Sequence, residues 1–290
     1  MLFKMLFASS ACCKHKVRLM GSSDFDNPIA YSNHMFAALK HLRDLEEREF
    51  RGVITAMLNP TLRERIVTLN YHRAAFNVET ILALPNSRHF QGIAMMARAV
   101  FEDAVELKLI SLNPDAAEKV DAVTRIERLR AAEDVVAFKN AHPEIDVHTG
   151  QYQKYVDNEG AAIKSEQQRL WRGTNQVNHW LNKKMGKRIE GLGEPFERIY
   201  EAHYPQLSWY SHPGVTGVWN VSGEMLAAFV GICYQIAVES YMQILEILVN
   251  EFRLYVHDDK LKDKIQYAKF VAFARSQEEA DAVMRVHGLG

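Results

Sequence analysis

Four side chains carry the chemistry this sequence supports most directly: Arg98, Glu102, Ser208 and His212. Arg98 and Glu102 stand four residues apart in a run whose apolar positions, Phe90, Ile93, Ala97, Val100, Ala104 and Leu107, step by three or four, the signature of a core-facing helix. A second row, Met95, Arg98, Glu102, Val105 and Leu109, runs beside that stripe, so the charged pair is expected to be partly buried. Burial of charge is costly unless it is paired; the two residues are therefore either a structural ion pair or a means of aiming Arg98 at an anion or a strained loop. Ser208 and His212 lie one helical turn apart in YPQLSWYSHPG (204–214). A histidine beside a serine hydroxyl can act as a general acid–base, and it can equally be a hydrogen-bonded structural group. If the four converge on a phosphodiester, His212 transfers the proton, Arg98 stabilises the developing phosphorane charge, Glu102 orients Arg98, and Ser208 holds the imidazole or a phosphate oxygen. That cleavage needs no metal.

A second constellation is electrostatic. Between Lys164 and Arg188 stand seven basic residues, Lys164, Arg169, Arg172, Lys183, Lys184, Lys187 and Arg188, against Glu166 alone, with Trp171 and Trp180 interleaved. Cations and aromatics together suit RNA phosphates and unstacked bases. The alternative is a solvated face whose charge offsets neighbouring acids such as Asp157 and Glu159.

The elements that must position these residues read as helices nearly throughout, because apolar residues recur at helical spacing and strict alternation is almost absent. Asn59-Pro60-Thr61 with Glu64, Asn113-Pro114, and Ser276 with Glu279 are helix-start signals. Helices are expected over 30–50, 61–83, 88–112, 115–140, 150–170, 174–186, 222–256, 260–275 and 277–286. Between the sixth and seventh runs an irregular Gly/Pro-rich stretch from Gly186 to Gly223, in which Pro205 opens a short helix that His212-Pro213 ends. Its aromatics, Tyr200, Tyr204, Trp209 and Tyr210, are expected to pack down on the bundle. Only Val215 to Val221 hints at extended chain. Met225 to Val249 is strongly apolar but carries Gln235, Glu239, Gln243 and Glu246, so it reads as a mostly buried helix whose polar stripe forms its solvent edge, not as a bilayer span.

Composition bounds the rest. The 290 residues include 35 basic and 36 acidic side chains, a net charge of −1, with 48% hydrophobic and 24% charged residues. This is an ordinary globular composition, which excludes disordered, collagenous and disulfide-scaffold classes and a uniformly basic nucleic-acid binder. Cys12, Cys13 and Cys233 make no disulfide framework, which points to a reducing cytosol. The apolar run from Met5 to Ala8 is too short for a secretion signal, so residues 1–24 are read as an extension outside the fold and 1–19 as a candidate over-extended reading frame. There is no His-Glu-x-x-His, Glu-x-x-His, paired-cysteine, Gly-x-Gly-x-x-Gly, P-loop or Gly-x-Ser-x-Gly motif, and no metal or cofactor is implied.

ARAVFEDAVELKLI (97–110), followed by Trp171 and then YPQLSWYSHPG (204–214), resembles the bacterial domain-of-unknown-function family 5677. Its pattern is a helical Arg-x-x-[Phe/Leu]-Glu segment and a later Tyr-x-x-Leu-Ser-x-x-x-His-[Pro/Gly] segment. Arg98, Phe101, Glu102, Tyr204, Leu207, Ser208, His212 and Pro213 match it. The resemblance covers roughly Phe50 to Arg253 and implies an all-helical fold with little established biochemistry. A weaker similarity links Arg172-Gly-Thr-Asn-Gln-Val-Asn-His179 to the higher eukaryotes and prokaryotes nucleotide-binding (HEPN) superfamily, helical bundles that include metal-independent ribonucleases of toxin and phage-defence systems. Gly173 departs from that superfamily's usual polar residue.

These readings combine into an all-α, irregular bundle around two long buried helices, with a single domain over 25–256 and a helical appendage over 257–290. Two functions are open: a ribonuclease or RNA-binding effector of toxin or phage-defence type, or a non-catalytic helical interaction module in which Arg98, Glu102, Ser208 and His212 lock a loop. A cytosolic homodimer is expected in either case.

Overall fold

At two helix starts in this chain a side chain takes a free amide of the first turn. Asn27 accepts from the Ile29 amide ahead of α1 (Pro28–Glu46), which begins on a proline. Thr61 and Glu64 form a reciprocal capping box at α3 (Leu62–Ala83), as their spacing predicts. Between them, a single π-helical turn (Glu47–Arg51) leads into the short α2 (Gly52–Thr55). The computed structural model describes residues 27–84, 87–172, 174, 176–211, 223–256, 258 and 260–273. Among these residues there is no strand, and the architecture is all-α.

Two helices carry the core: α4 (Phe90–Leu112) and α10 (Gly223–Glu251). They pack along each other, with α3 against α4 and α1 against α10. The α4 stripe behaves as its spacing predicts: Ile93, Ala97, Val100, Ala104 and Leu107 are fully buried. Where α1 crosses α10, a Cβ on Gly231 would lie 2.6 Å from Tyr31 Cδ1 and 3.3 Å from Ser32 Cα, so the close approach requires a glycine. Arg63 fastens the far end. It donates to the Ile110 carbonyl at 2.9 Å, the Asn113 carbonyl at 3.1 Å and the Glu251 carboxylate at 2.8 Å, joining α3 to the C-termini of α4 and α10. At the other end Glu46, fully buried, accepts from Tyr71 and Arg43, and Arg43 also reaches Glu79.

A hairpin of α5 (Ala116–Ala141) and α6 (Gly150–Leu170) forms an outer layer, held together by Arg125–Glu166 and Lys164–Glu133, both at 2.8 Å. After it come three short helices, α7 (Met185–Ile189), α8 (Phe196–Ala202) and α9 (Tyr204–Ser211). The C-terminal α11 (Leu261–Phe273) docks on α1 and α10, burying Leu261, Ile265, Ala268 and Ala272.

Three expectations need correction. No helix occupies 174–184: its described residues form turns and irregular chain, and only α7 follows. Asn178 and Asn182 favour turns over helix, Asn182 adopts φ 50°, and the side chains of Trp171, His179 and Trp180 are spent on tertiary hydrogen bonds. The helix expected over 222–256 stops at Glu251, where Arg253 turns to φ 50°. The polar stripe of α10 is not a solvent edge: Glu239 is buried, accepting from Arg198 of α8 and from Gln235 at 2.7 Å, and Gln235, Gln243 and Glu246 are half-buried. Two opposite partners offset the cost of drying that carboxylate. The helix expected over 277–286 and the extended chain over 215–221 lie outside the described residues.

Candidate functional site

Arg98 and Glu102 meet on α4 as their spacing demands, with Arg98 Nε donating to Glu102 Oε1 at 2.7 Å. A third group joins them. The Tyr204 hydroxyl donates to the same Glu102 oxygen at 2.7 Å and accepts from Arg98 Nη2 at 3.0 Å, while the guanidinium lies over the Tyr204 ring, 4.9 Å from its centroid. Burial, followed by the bond to Glu102, pushes the Tyr204 phenol up to about 12. Arg98 is partly buried, whereas Glu102 is 40% exposed, more open than its apolar neighbours imply. Ser208 donates back to the Tyr204 carbonyl at 3.0 Å within α9. The two matched segments thus meet through Tyr204, a position of the family pattern that sequence alone assigns to packing and not to the polar site. Tyr200, Tyr204 and Tyr210 do pack on the core, but Trp209 is half exposed. His212 and Pro213 lie outside the described residues.

One turn further along α4, Glu106 accepts from Trp180 Nε1 and from His179 Nε2, the latter at 2.8 Å. The Leu181 amide donates to His179 Nδ1 at 3.1 Å, which fixes the tautomer with its proton on Nε2. Both ring nitrogens are therefore engaged, and His179 offers none to a substrate. Trp171 donates to the Trp180 carbonyl at 2.9 Å, and the two indoles are 9% and 4% exposed. Buried in this way, they present no face on which a base could stack.

The basic segment is correspondingly divided. Lys164 pairs with Glu133, Arg169 with Glu118 and Lys187 with Glu190. Arg172, Lys183 and Lys184 are exposed and, among the described residues, make no ion pair. Arg188 turns inward: its Nε is buried without a hydrogen-bond partner. Gly186 permits that placement of α7, since a Cβ there would meet the Tyr200 hydroxyl at 2.8 Å.

An open cleft of ≈ 440 Å³ lies between α3, α4 and α5, bordered by the 178–180 turn and by Arg188 of α7. Glu102, Glu106, His179, Trp180 and Arg188 line it, as do Arg73, Glu127 and the apolar side chains of Ile66, Leu69, Val120 and Val123. Behind Arg73 sits Asp103, which accepts from Arg73 Nε at 2.6 Å and from Asn77 at 3.2 Å. Burial pushes its carboxyl up to about 6 against the pull of Arg73. Neither Arg73 nor Glu127 stands out in the sequence, because nothing local shows that α3 and α5 border one cleft. No group of three or more His, Cys, Asp or Glu among the described residues is disposed to hold a metal ion.

Compared with known proteins, residues 64–224, more than half of the chain, match the model of one family, described as a family of unknown function (DUF5677). No curated protein matches the chain, and no solved structure does.

Proposed function

Because the chain belongs to the family of unknown function DUF5677, whose description carries no activity, we propose a function from the site alone: a non-catalytic helical interaction module. In this reading Arg98, Glu102 and Tyr204 lock α9 onto α4, and the neighbouring cleft is the recognition surface. The observation that carries it is the closed triangle itself. The Tyr204 hydroxyl takes an Nη2 donor of Arg98 and shares Glu102 with it, so the pair is spent in part on holding α9. His179, with both nitrogens engaged, supplies no substitute base.

The test is whether His212 matters to chemistry. Wild type and His212→Ala expressed in bacteria should give equal growth, and purified protein should leave a single-stranded RNA intact in a chelator. Cleavage that persists in chelator and disappears in His212→Ala overturns the reading in favour of a metal-independent ribonuclease.

RNA binding without cleavage has its own support in the exposed Arg172, Lys183 and Lys184, which make no ion pair among the described residues. Fluorescence anisotropy with a labelled oligonucleotide decides it: salt-sensitive binding that weakens on reversing these three charges sustains an RNA-binding effector, and no binding removes it.

A further inference from the structure

We infer that two copies of this chain associate through the outer face of α3, the two helices running antiparallel about a two-fold axis beside His72. The inference is independent of the cleft and of the interaction-module reading.

The face is apolar where α3 turns to solvent. Leu62, Leu69, Phe76 and Ala83 recur every seven residues along it, the spacing of a seam that a second helix fills. Leu62 is half-buried and Ala83 exposed, while Leu69 and Phe76 are 68% and 67% exposed, so among the described residues nothing covers these two. One exposed apolar side chain needs no explanation, but two in register on one helix make half of a seam.

Charge identifies the occupant. Beside the seam runs a second row at the same period, Arg65, His72 and Glu79. Arg65 is exposed and makes no ion pair among the described residues. Glu79, 42% exposed, takes Arg43 and Arg51 both on Oε1. In its ion-pair cluster the carboxylates of Glu46, Glu47 and Glu79 outnumber the guanidinium groups of Arg43 and Arg51. One end of the face therefore lacks a negative partner and the other has a carboxylate to spare. A two-fold axis perpendicular to both helices reverses their direction and keeps each flank on its own side. It sets Arg65 of each copy against Glu79 of the other and, because both pairs are centred at or beside His72, it also sets Leu69 on Phe76. A parallel copy in register would oppose like charges at both ends. A foreign partner would have no need for the two halves of the face to complement each other. On the opposite flank Arg73 brings Asp103 with it as counter-ion, so it does not oppose the pairing.

Sedimentation equilibrium of the full-length protein at micromolar concentrations should give a dimer. Leu69→Glu and Phe76→Glu, both at exposed positions, should each give a monomer with unchanged circular dichroism. Arg65→Glu should raise the dissociation constant by about fivefold, since each dimer loses two exposed ion pairs. Cross-linking tests the geometry without an apolar substitution. With Cys12 and Cys13 replaced by serine, and Cys233 buried, His72→Cys should join to its own copy through a short bis-maleimide, whereas Lys154→Cys, exposed on α6, should not. A monomer at all these concentrations, a dimer indifferent to Leu69→Glu and Phe76→Glu, or a dimer that His72→Cys does not cross-link overturns the inference.

Discussion

The guanidinium of Arg98 lies over the ring of Tyr204, 4.9 Å from its centroid, and donates to that residue's own hydroxyl at 3.0 Å. One tyrosine thus meets the same arginine by its face and by its edge, and fixes α9 on α4. Tyr204→Phe keeps the face and loses the hydroxyl, which should cost about 1 kcal/mol in urea denaturation. Arg98→Ala loses both contacts, yet Glu102, 40% exposed, passes to water without being orphaned. Its cost should be about 1–2 kcal/mol, not the 3–5 kcal/mol of a broken buried pair. A loss in that higher range would mean that Glu102 is dry.

Glu106 serves two donors through separate oxygens, Oε1 for Trp180 Nε1 and Oε2 for His179 Nε2, and an amide in its place keeps only one of those acceptors. In Glu106→Gln, either the bond to Trp180 or the tautomer that accepts the Leu181 amide must be given up. Amide hydrogen exchange of Leu181 should then quicken by about tenfold, the effect of about 1.4 kcal/mol of lost protection. Exchange at the wild-type rate would show that Glu106 does not hold the turn.

Asp103 is buried, and its carboxyl is raised from 3.8 to about 6, chiefly by burial. The folded state therefore holds this proton more tightly than the unfolded chain does. The resulting stability is complete below 3.8 and is lost as pH rises through about 6. Relative to Asp103→Asn, wild type should lose about 2–3 kcal/mol across that window, since each tenfold difference in proton affinity between the folded and unfolded states is worth about 1.4 kcal/mol. Urea denaturation at a series of pH values reads this directly, and a constant difference between the two proteins would refute it.

His203 works in the opposite sense. Burial, with the nearby charge of Arg198, lowers its imidazole from 6.5 to about 4, and its Nδ1 is buried without a partner. Here the unfolded chain holds the proton more tightly. The contribution to stability is complete above 6.5 and is lost as pH falls towards about 4. By the same conversion of proton affinity into free energy, wild type should weaken by about 2–3 kcal/mol relative to His203→Gln over this fall. The two variants therefore give pH slopes of opposite sign, measurable in the same series of denaturations.

The capping box of Thr61 and Glu64, the Arg98–Glu102 pair and the buried stripe of α4 were legible in the sequence because each is set by residues within a turn or two. Helical periodicity alone decides which side chains share a face, and hence the all-α class and the choice of α4 and α10 as its centre. Tyr204 meeting Glu102, Trp180 meeting Glu106 and Arg198 meeting Glu239 are different in kind. Each joins residues far apart in the chain, so it exists only after two helix faces, or a turn and a face, have been brought together. The same reason explains the misread 174–184 segment: local propensity left its conformation open, and hydrogen bonds from Trp171, His179 and Trp180 settled it as a turn. The cleft is the extreme case, since its walls come from α3, α4, α5, the 178–180 turn and α7, which only the folded chain brings together. A carboxylate or guanidinium cannot be recognised as satisfied or spare from its neighbours in sequence, because burial and pairing are properties of the assembled interior.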